Sequence, residues 1–501
     1  MIYEFCRVGL SFLFKLFFLI SSLSMLNVCS GQEKKIVIII PSFNNRDWYQ
    51  KNLDAVFSQE YENYRLIYID DCSSDGTGDL VARYIKERGV EDRITLIRNK
   101  TRKRALANLY YAIHYCDDDE IVLTYDGDDW LAHNRVFSLI NDIYTEDPAV
   151  WITYGQFKNW PIEKIGYSRK IPSDIVEKKL YRKSLWVPGQ LRTFYAWLFK
   201  QIKLEDLVFD KTESLQFQGY YFPANYDLAI CYPMIEMAGN HYKFVSEVIY
   251  IHNTATLLND FKVNRILQKE GASQIVNQPE YERLDTPVTG YLNRFTNSKA
   301  DLIIFAFHSS NYLKQLLDSV EQYIHGIGNL LVVAEWEKIE EYKKIIDEYK
   351  AVQFAECATM NNPGKQIADF LFSSQNEHVL VTSDNMVVER YVDCNRCIRI
   401  LEQTFAYTFF LAVGKTMQGE LPPLIDIEYG VFGWRFCYAK DTWRQQHGCA
   451  MGIYRKQDIL KKITTIHAQS LQELITAWIH MGIDNKKLGL CFDIPRVSCR
   501  N

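Results

Sequence analysis

The stretch EIVLTYDGDDWL, Glu120 to Leu131, runs through apolar residues and stops at three aspartates grouped around a glycine. A strand built to be dry thus ends in like charges, and the same design recurs through the first half of the chain. IVIIIP (36–41) is apolar without alternation, which suits a parallel strand covered on both faces. WYQKNLDAVFSQ follows with helical spacing, then the strand YRLIYID, the helix DLVARYIKERG, the strand ITLIRN, the helix ALANLYYAIHYC and finally EIVLTYD. Strict alternation of strand and helix predicts an α/β fold with a doubly wound, mostly parallel sheet of the Rossmann-like kind. In such sheets the loops beyond the carboxyl ends of the strands carry the chemistry. The polar clusters PSFNN, DDCSSDGT and DGDD all fall there.

A second round begins after a polar stretch. ADLIIFAFHSSNYLKQLLDSVEQYIHGIGNLLVVAEW (300–336) repeats the order strand, polar loop, helix, strand, and EHVLVTSDNMVV (377–388) echoes the opening stretch. The reading is two domains in tandem, 35–265 and 299–501, joined by a linker over 266–298. The copies are unequal: Ala334 and Glu335 stand where the first has Asp70 and Asp71, and Ser383, Asp384 and Asn385 answer Asp126 to Asp128. The second domain therefore reads as degenerate. Its Trp434 and Trp443 either stack on a sugar ring or fill a core.

At 501 residues and 48% apolar content the chain exceeds one ordinary core, in keeping with two domains. A formal net charge of -5 offers no basic surface and argues against a nucleic-acid partner. Residues 1–31 read as a signal peptide or signal anchor, because Leu16 to Val28 is apolar apart from serines and an asparagine and a polar restart follows. The expectation is a protein of the secretory pathway, secreted or associated with the membrane through its N-terminus. Twelve cysteines form no dense framework. The CxxC pair Cys394 and Cys397 sits in a helix-like run without partners for a zinc site, and reads as one face of a helix.

Clustered carboxylates at a strand end raise one another's pKa unless a cation sits between them. Magnesium or manganese suits such oxygen ligands, with phosphate oxygens completing the shell. Asp126 and Asp128 thus read as a platform for a metal-bound diphosphate, or the segment is a solvated turn with Asp128 or Asp129 capping the next helix.

The order PSFNN, DDCSSDGT, DGDDWL, with Asp71 and Asp126 55 residues apart, resembles the nucleotide-sugar-binding domain of glycosyltransferase family 2, of GT-A fold, over about residues 35 to 265. The resemblance implies a nucleoside site at Pro41, Ser42, Asn44, Asp70 and Asp71, and donor ribose and diphosphate at Asp126, Gly127 and Asp128, with Mn2+ or Mg2+ on the two acids. RNKTRKRALANLYYAI matches the helix under the diphosphate and places Asn108 at the family's asparagine. Ala107 replaces a common arginine, so Arg102, Lys103 or Arg104 is left to supply the charge, with Arg104 the chosen donor ligand. FPANYDLAICYPMIEMAG (222–239) matches the acceptor side. Its Asp227 takes the general-base position, although Tyr226 replaces the first acid of the family's pair. His252, in EVIYIHNTATLLND, is a candidate ligand of the metal or diphosphate or else a structural histidine.

The implied reaction is an inverting transfer from a nucleoside-diphosphate sugar, UDP-sugar foremost, to a hydroxyl of a glycan, lipid or protein. A sugar-phosphate nucleotidyltransferase shares this architecture, but PSFNNRD lacks the glycine-rich basic loop that enzyme needs. A non-catalytic glycan-binding protein is the third reading, opposed by the full set of acids in the first copy.

Overall fold

The computed structural model describes residues 33–211, 214–256, 264–335, 339–346, 349, 352–357, 363–440, 443, 450–480 and 484–500. The expected signal segment lies outside the described residues. Among these residues no helix is long and apolar enough to cross a membrane.

The first half contributes β1 (Ile36–Ser42), β2 (Tyr64–Asp70), β3 (Ile94–Arg98), β4 (Ile121–Thr124), β5 (Trp130–Leu131), β6 (Ile152–Trp160), β7 (Lys164–Ile165), β8 (Arg192–Tyr195) and β9 (Tyr242–Asn253). They form one sheet in the order β3-β2-β1-β4-β8-β6-β9-β5, with β7 paired to β6. The block β3-β2-β1-β4 is parallel throughout. Ile36 to Ile40 are at most 1% exposed, as a strand covered on both faces requires. Beyond the parallel block the sheet is mixed: β8 runs antiparallel to β4 and β6, β9 runs parallel to β6, and β5 runs antiparallel to β9. The α/β class stands, with a mixed sheet. At the amino end of β4 the buried Glu120 carboxylate meets Lys35 at 2.6 Å and Arg65 at 2.7 Å. Burial works against its ionisation, but these cations hold its pKa down at about 2.

The second half supplies β10 (Ala300–Ala306), β11 (Ile324–His325), β12 (Ile327–Glu335), β13 (Val352–Cys357), β14 (His378–Ser383), β15 (Met386–Val388), β16 (Val392–Asp393), β17 (Thr408–Phe410), β18 (Ile425–Glu428), β19 (Val431–Arg435), β20 (Gly452–Arg455), β21 (Leu488–Phe492) and β22 (Val497–Cys499). Its main sheet runs β13-β12-β10-β14-β20-β17-β21-β19-β18, while β11 pairs with β16 and β15 with β22. Position by position the strand senses follow the first sheet as far as β19. Ile36 pairs with Ile121, and Ala300 with His378. This register puts Asp384 in the place of Gly127 and His308 in that of Asn44.

One apolar cluster holds residues of both halves, Leu106 and Tyr110 together with Ile425 and Ile427. Trp434 and Trp443 are core residues, at most 1% exposed, with ring centroids 5.0 Å apart. Cys394 and Cys397 are buried on the helix Cys394–Thr404.

The expected linker contains the helix Arg265–Val276. Its apolar face is narrow, Leu267, Gly271 and Ile275, and polar bonds add to it. Arg182 donates to the Ile275 carbonyl at 2.6 Å, and Gln274 donates to the Val208 carbonyl at 2.8 Å.

Candidate active site

The loops at the carboxyl ends of β1, β2 and β4, the turn before helix Ala105–His114 and the start of helix Tyr226–Ala238 enclose a cleft of about 1240 Å³. It is the crevice where an α/β sheet binds ligands.

Pro41 and Ser42 form one wall. The Ser42 hydroxyl accepts from Tyr68 Oη at 2.8 Å and from Asn45 Nδ2 at 3.0 Å. Gly127 presses against this pair so closely that a Cβ there would lie 2.6 Å from Asn45 Nδ2 and 2.8 Å from Ser42 Oγ. Glycine is thus required for the acidic turn to lie against the loop after β1.

Asp71 reaches the cleft from the end of β2. Its carboxylate accepts from the backbone N–H groups of Lys103 at 2.8 Å and Arg104 at 2.7 Å, and from Asn99 Nδ2 at 2.8 Å. The same Asn99 amide donates to Asn108 Oδ1 at 2.8 Å. Arg104 holds φ at 71° and donates to the Pro223 carbonyl at 3.2 Å, and the Arg102 guanidinium lies 3.7 Å from the Phe43 ring centre. Both arginines line the cleft. The third candidate, Lys103, turns its ammonium instead to Asp426 of the second half.

Asn44 and Asp70 are not among the cleft's walls. Asn44, at φ 53°, donates its N–H to Ser73 Oγ at 2.9 Å and accepts from the Ser74 N–H at 2.9 Å. Asp70 accepts from the Ser73 N–H at 3.3 Å and faces Arg98. Both fasten the loop after β2, a role that their place in the motifs does not separate from ligand contact.

Asp126, Gly127 and Asp128 line the cleft beneath Asp227 and His252. Asp126 accepts from Tyr226 Oη at 2.6 Å and Gln190 Nε2 at 3.2 Å. Both donors are neutral. Burial and then the neighbouring Asp129 push the Asp126 pKa up to about 6, and burial with the same neighbours raises that of Asp128 well above its ordinary value. Asp129 itself is a buried anchor. It accepts from Tyr250 Oη at 2.6 Å, the Asn253 N–H at 2.6 Å and His252 Nδ1 at 3.2 Å. Neither Asp128 nor Asp129 caps the next helix, whose N-terminal flank is Arg135. Burial opposes protonation of His252, but its hydrogen bond to Asp129 and the charges of the acid cluster hold its pKa above the ordinary value.

Two cation-deficient acids with oxygen donors facing a cleft fit a hard divalent ion. Among the described residues no group of three His, Cys, Asp or Glu side chains converges to hold a metal. An ion at Asp126 and Asp128 would therefore draw further oxygens from a ligand such as a diphosphate, with the ring of His252 tethered nearby through Nδ1.

On the opposite side Asp227, in the first turn of its helix, accepts from Arg192 Nη2 at 3.3 Å. Arg192 is 2% exposed, and its Nε and Nη1 have no hydrogen-bond partner among the described residues. The placing of Arg192, Gln190 and Asp129 beside the cleft leaves no periodic mark in the sequence. Only the third acid of DGDD hinted at Asp129. Tyr226, which replaces the first acid of the expected pair, binds Asp126 through its hydroxyl.

Residues 37–208 match the sequence model of the family described as "Glycosyl transferase family 2". The chain is 36% identical over 95 residues to the "Putative glycosyltransferase EpsE" of Bacillus subtilis (strain 168), covering 19% of this chain and 33% of that protein. It is 30% identical over 129 residues to the "UDP-Glc:alpha-D-GlcNAc-diphosphoundecaprenol beta-1,3-glucosyltransferase WfaP" of Escherichia coli, covering 26% and 47%. The chain thus spans less than half the length of either relative. Among solved structures, that of S. aureus TarS superposes with a TM-score of 0.34 at 16% identity, over 50% of this chain and 41% of that one. Residues 37–208 are thus the part of the chain that is similar to glycosyl transferase family 2.

Proposed function

We propose that the protein is a metal-dependent, inverting glycosyltransferase that moves a sugar from a nucleoside-diphosphate sugar, UDP-sugar foremost, to an acceptor hydroxyl. The observation that carries this reading is one cleft holding the acidic pair Asp126 and Asp128, the basic turn with Arg102 and Arg104, and the carboxylate of Asp227. The relative named as using UDP-Glc supports a UDP-sugar donor. Pro41, Ser42 and Asp71 bound the nucleoside end, and Arg102 and Arg104 bring positive charge to the diphosphate. Asp227, fixed by Arg192, takes the proton of the attacking hydroxyl. When bound at Asp126 and Asp128, Mn2+ or Mg2+ would offset the charge of the departing diphosphate. Burial of Asp129 and Arg192 restricts water near these charges and so strengthens their mutual effects.

The second half reads as a degenerate copy without donor binding of its own. Support comes from Asp384, which is fully buried and accepts from the N–H groups of Phe307 at 3.1 Å and His308 at 2.9 Å and meets His308 Nδ1 at 2.7 Å. This fixes the loop after β10 through a buried carboxylate that stands in the place of Gly127. The apolar N-terminal run Leu16 to Val28 supports work in the secretory pathway or at a membrane, on a glycan, lipid or protein acceptor.

The deciding experiment screens nucleotide sugars by nucleoside-diphosphate release, with and without Mn2+, for the wild-type chain and Asp128→Ala. Metal-stimulated release that Asp128→Ala abolishes is expected. Release unaffected by that change would sink the reading, and pyrophosphate release from a nucleoside triphosphate and a sugar phosphate would point to a nucleotidyltransferase.

A further inference from the structure

The second half reaches the basic turn of the cleft through a side chain of β18. Asp426, on β18, pairs with the Lys103 ammonium, and the Asp426 carbonyl accepts from Tyr221 Oη at 3.4 Å. Lys103 is the middle residue of the turn that carries Arg102 and Arg104 into the cleft, and its own N–H is one of the donors that clasp Asp71. One residue thus holds the inner face of the turn by its backbone and the second half of the molecule by its side chain.

We propose that Asp426 is a positioning residue for the donor. It anchors Lys103 and so fixes the turn whose amides hold Asp71 and whose arginines face the diphosphate. The proposal rests on the reading of the cleft as a nucleotide-sugar site, and it gives the second half a role that requires no site of its own. A turn held from both sides loses less conformational freedom when a diphosphate binds, which favours affinity.

The pair contributes little to folding, because its side chains are 32% and 31% exposed and such ion pairs are weak. Docking of the halves is secured elsewhere: Arg435 meets Asp210 at 3.0 Å, Lys487 meets Glu205 at 2.9 Å, and the apolar core is shared. Removing the Asp426 charge therefore tests the turn without undocking the second half.

The test uses the full chain. UDP and GDP are titrated with Mn2+ into wild type, Asp426→Asn, Asp426→Glu, Lys103→Ala and the double variant Lys103→Ala/Asp426→Asn, and backbone hydrogen exchange is followed around residues 103 and 104 without ligand. Asp426→Asn and Lys103→Ala should each weaken nucleotide binding about 3- to 10-fold, the double variant no further, and Asp426→Glu should recover most of the loss. Exchange around Lys103 and Arg104 should quicken in Asp426→Asn while the thermal transition stays in place. Wild-type affinity and unchanged exchange in Asp426→Asn overturn the proposal, as do fully additive losses in the double variant. A wild-type chain that binds neither nucleotide and turns over no nucleotide sugar overturns the donor-site reading itself, and this proposal with it.

Discussion

The Tyr226 hydroxyl donates to the Asp126 carboxylate at 2.6 Å and so links the first turn of the acceptor-side helix to the acidic turn after β4. The next residue, Asp227, is the proposed base. The two ends of the reaction are therefore spaced by one hydrogen bond and one peptide unit, and the tyrosine that broke the expected acidic pair is what sets that spacing.

The acid cluster makes stability depend on pH when no metal is bound. Burial and Asp129 raise the Asp126 pKa from 3.8 to about 6, so the folded state favours the protonated form. The stability from this group is complete below about pH 4 and is lost as pH rises through about 6. Chelator-treated protein should accordingly lose more urea resistance than Asp126→Asn between about pH 4 and pH 7. Mn2+ should restore the wild type at the upper end and leave the asparagine variant little changed. Parallel pH profiles for the two proteins would contradict this.

Asp129 carries the architecture of the same turn. Asp129→Ala leaves the Tyr250 hydroxyl, the Asn253 N–H and His252 Nδ1 without their shared acceptor. A loss of about 2–4 kcal/mol in unfolding free energy is expected from urea titration, larger than for Asp128→Ala at the cleft surface. Equal losses for the two would mean that Asp129 is not the anchor.

How far the sequence reveals this site depends on what makes each feature periodic. The continuous run Ile36 to Ile40 announced a parallel central strand, and its polar termini placed the cleft on the correct sheet edge. In the mixed half of the sheet β5 and β8 are brief, with two and four residues, and the apolar pattern of the longer β6 and β9 does not tell in which sense they join. Helix Arg265–Val276 was hidden because its apolar face is narrow, Leu267, Gly271 and Ile275, and side-chain bonds to and from the rest of the fold help to hold it. Within the motifs, residue type does not distinguish a carboxylate facing the cleft, such as Asp128, from one spent on backbone amides, such as Asp70. Arg192 gave no signal because a buried arginine beside a cleft looks, in sequence, like a solvated one.

Gly127 should be intolerant of any side chain. The Cβ of Gly127→Ala would meet Asn45 Nδ2 at 2.6 Å and Ser42 Oγ at 2.8 Å, so the acidic turn and the loop after β1 must separate. Overpacking of this kind costs about 1–3 kcal/mol. Displacement of the acids should lower kcat/KM for sugar transfer about 100-fold, as a shift of about 1 Å can. Unfolding and steady-state measurements on the one variant check both effects, and near-wild-type turnover would show that the two loops need not touch.

Asp227 and the acidic pair should fail in different ways. Asp227 meets the Arg192 guanidinium at 3.3 Å and Asp126 lies across the Tyr226 bond, so only Asp126 and Asp128 are placed to engage a metal-bound diphosphate. Asp227→Asn should reduce transfer about 10²- to 10⁴-fold, the usual contribution of a general base. It should leave nucleoside-diphosphate binding with Mn2+ within about twofold of wild type, because the base acts only on the acceptor hydroxyl. Asp128→Ala should lose the binding as well. Calorimetry with the nucleotide and single-turnover transfer separate the two variants. A chain in which Asp227→Asn also loses nucleotide affinity would move Asp227 from the acceptor side of the cleft to the donor side.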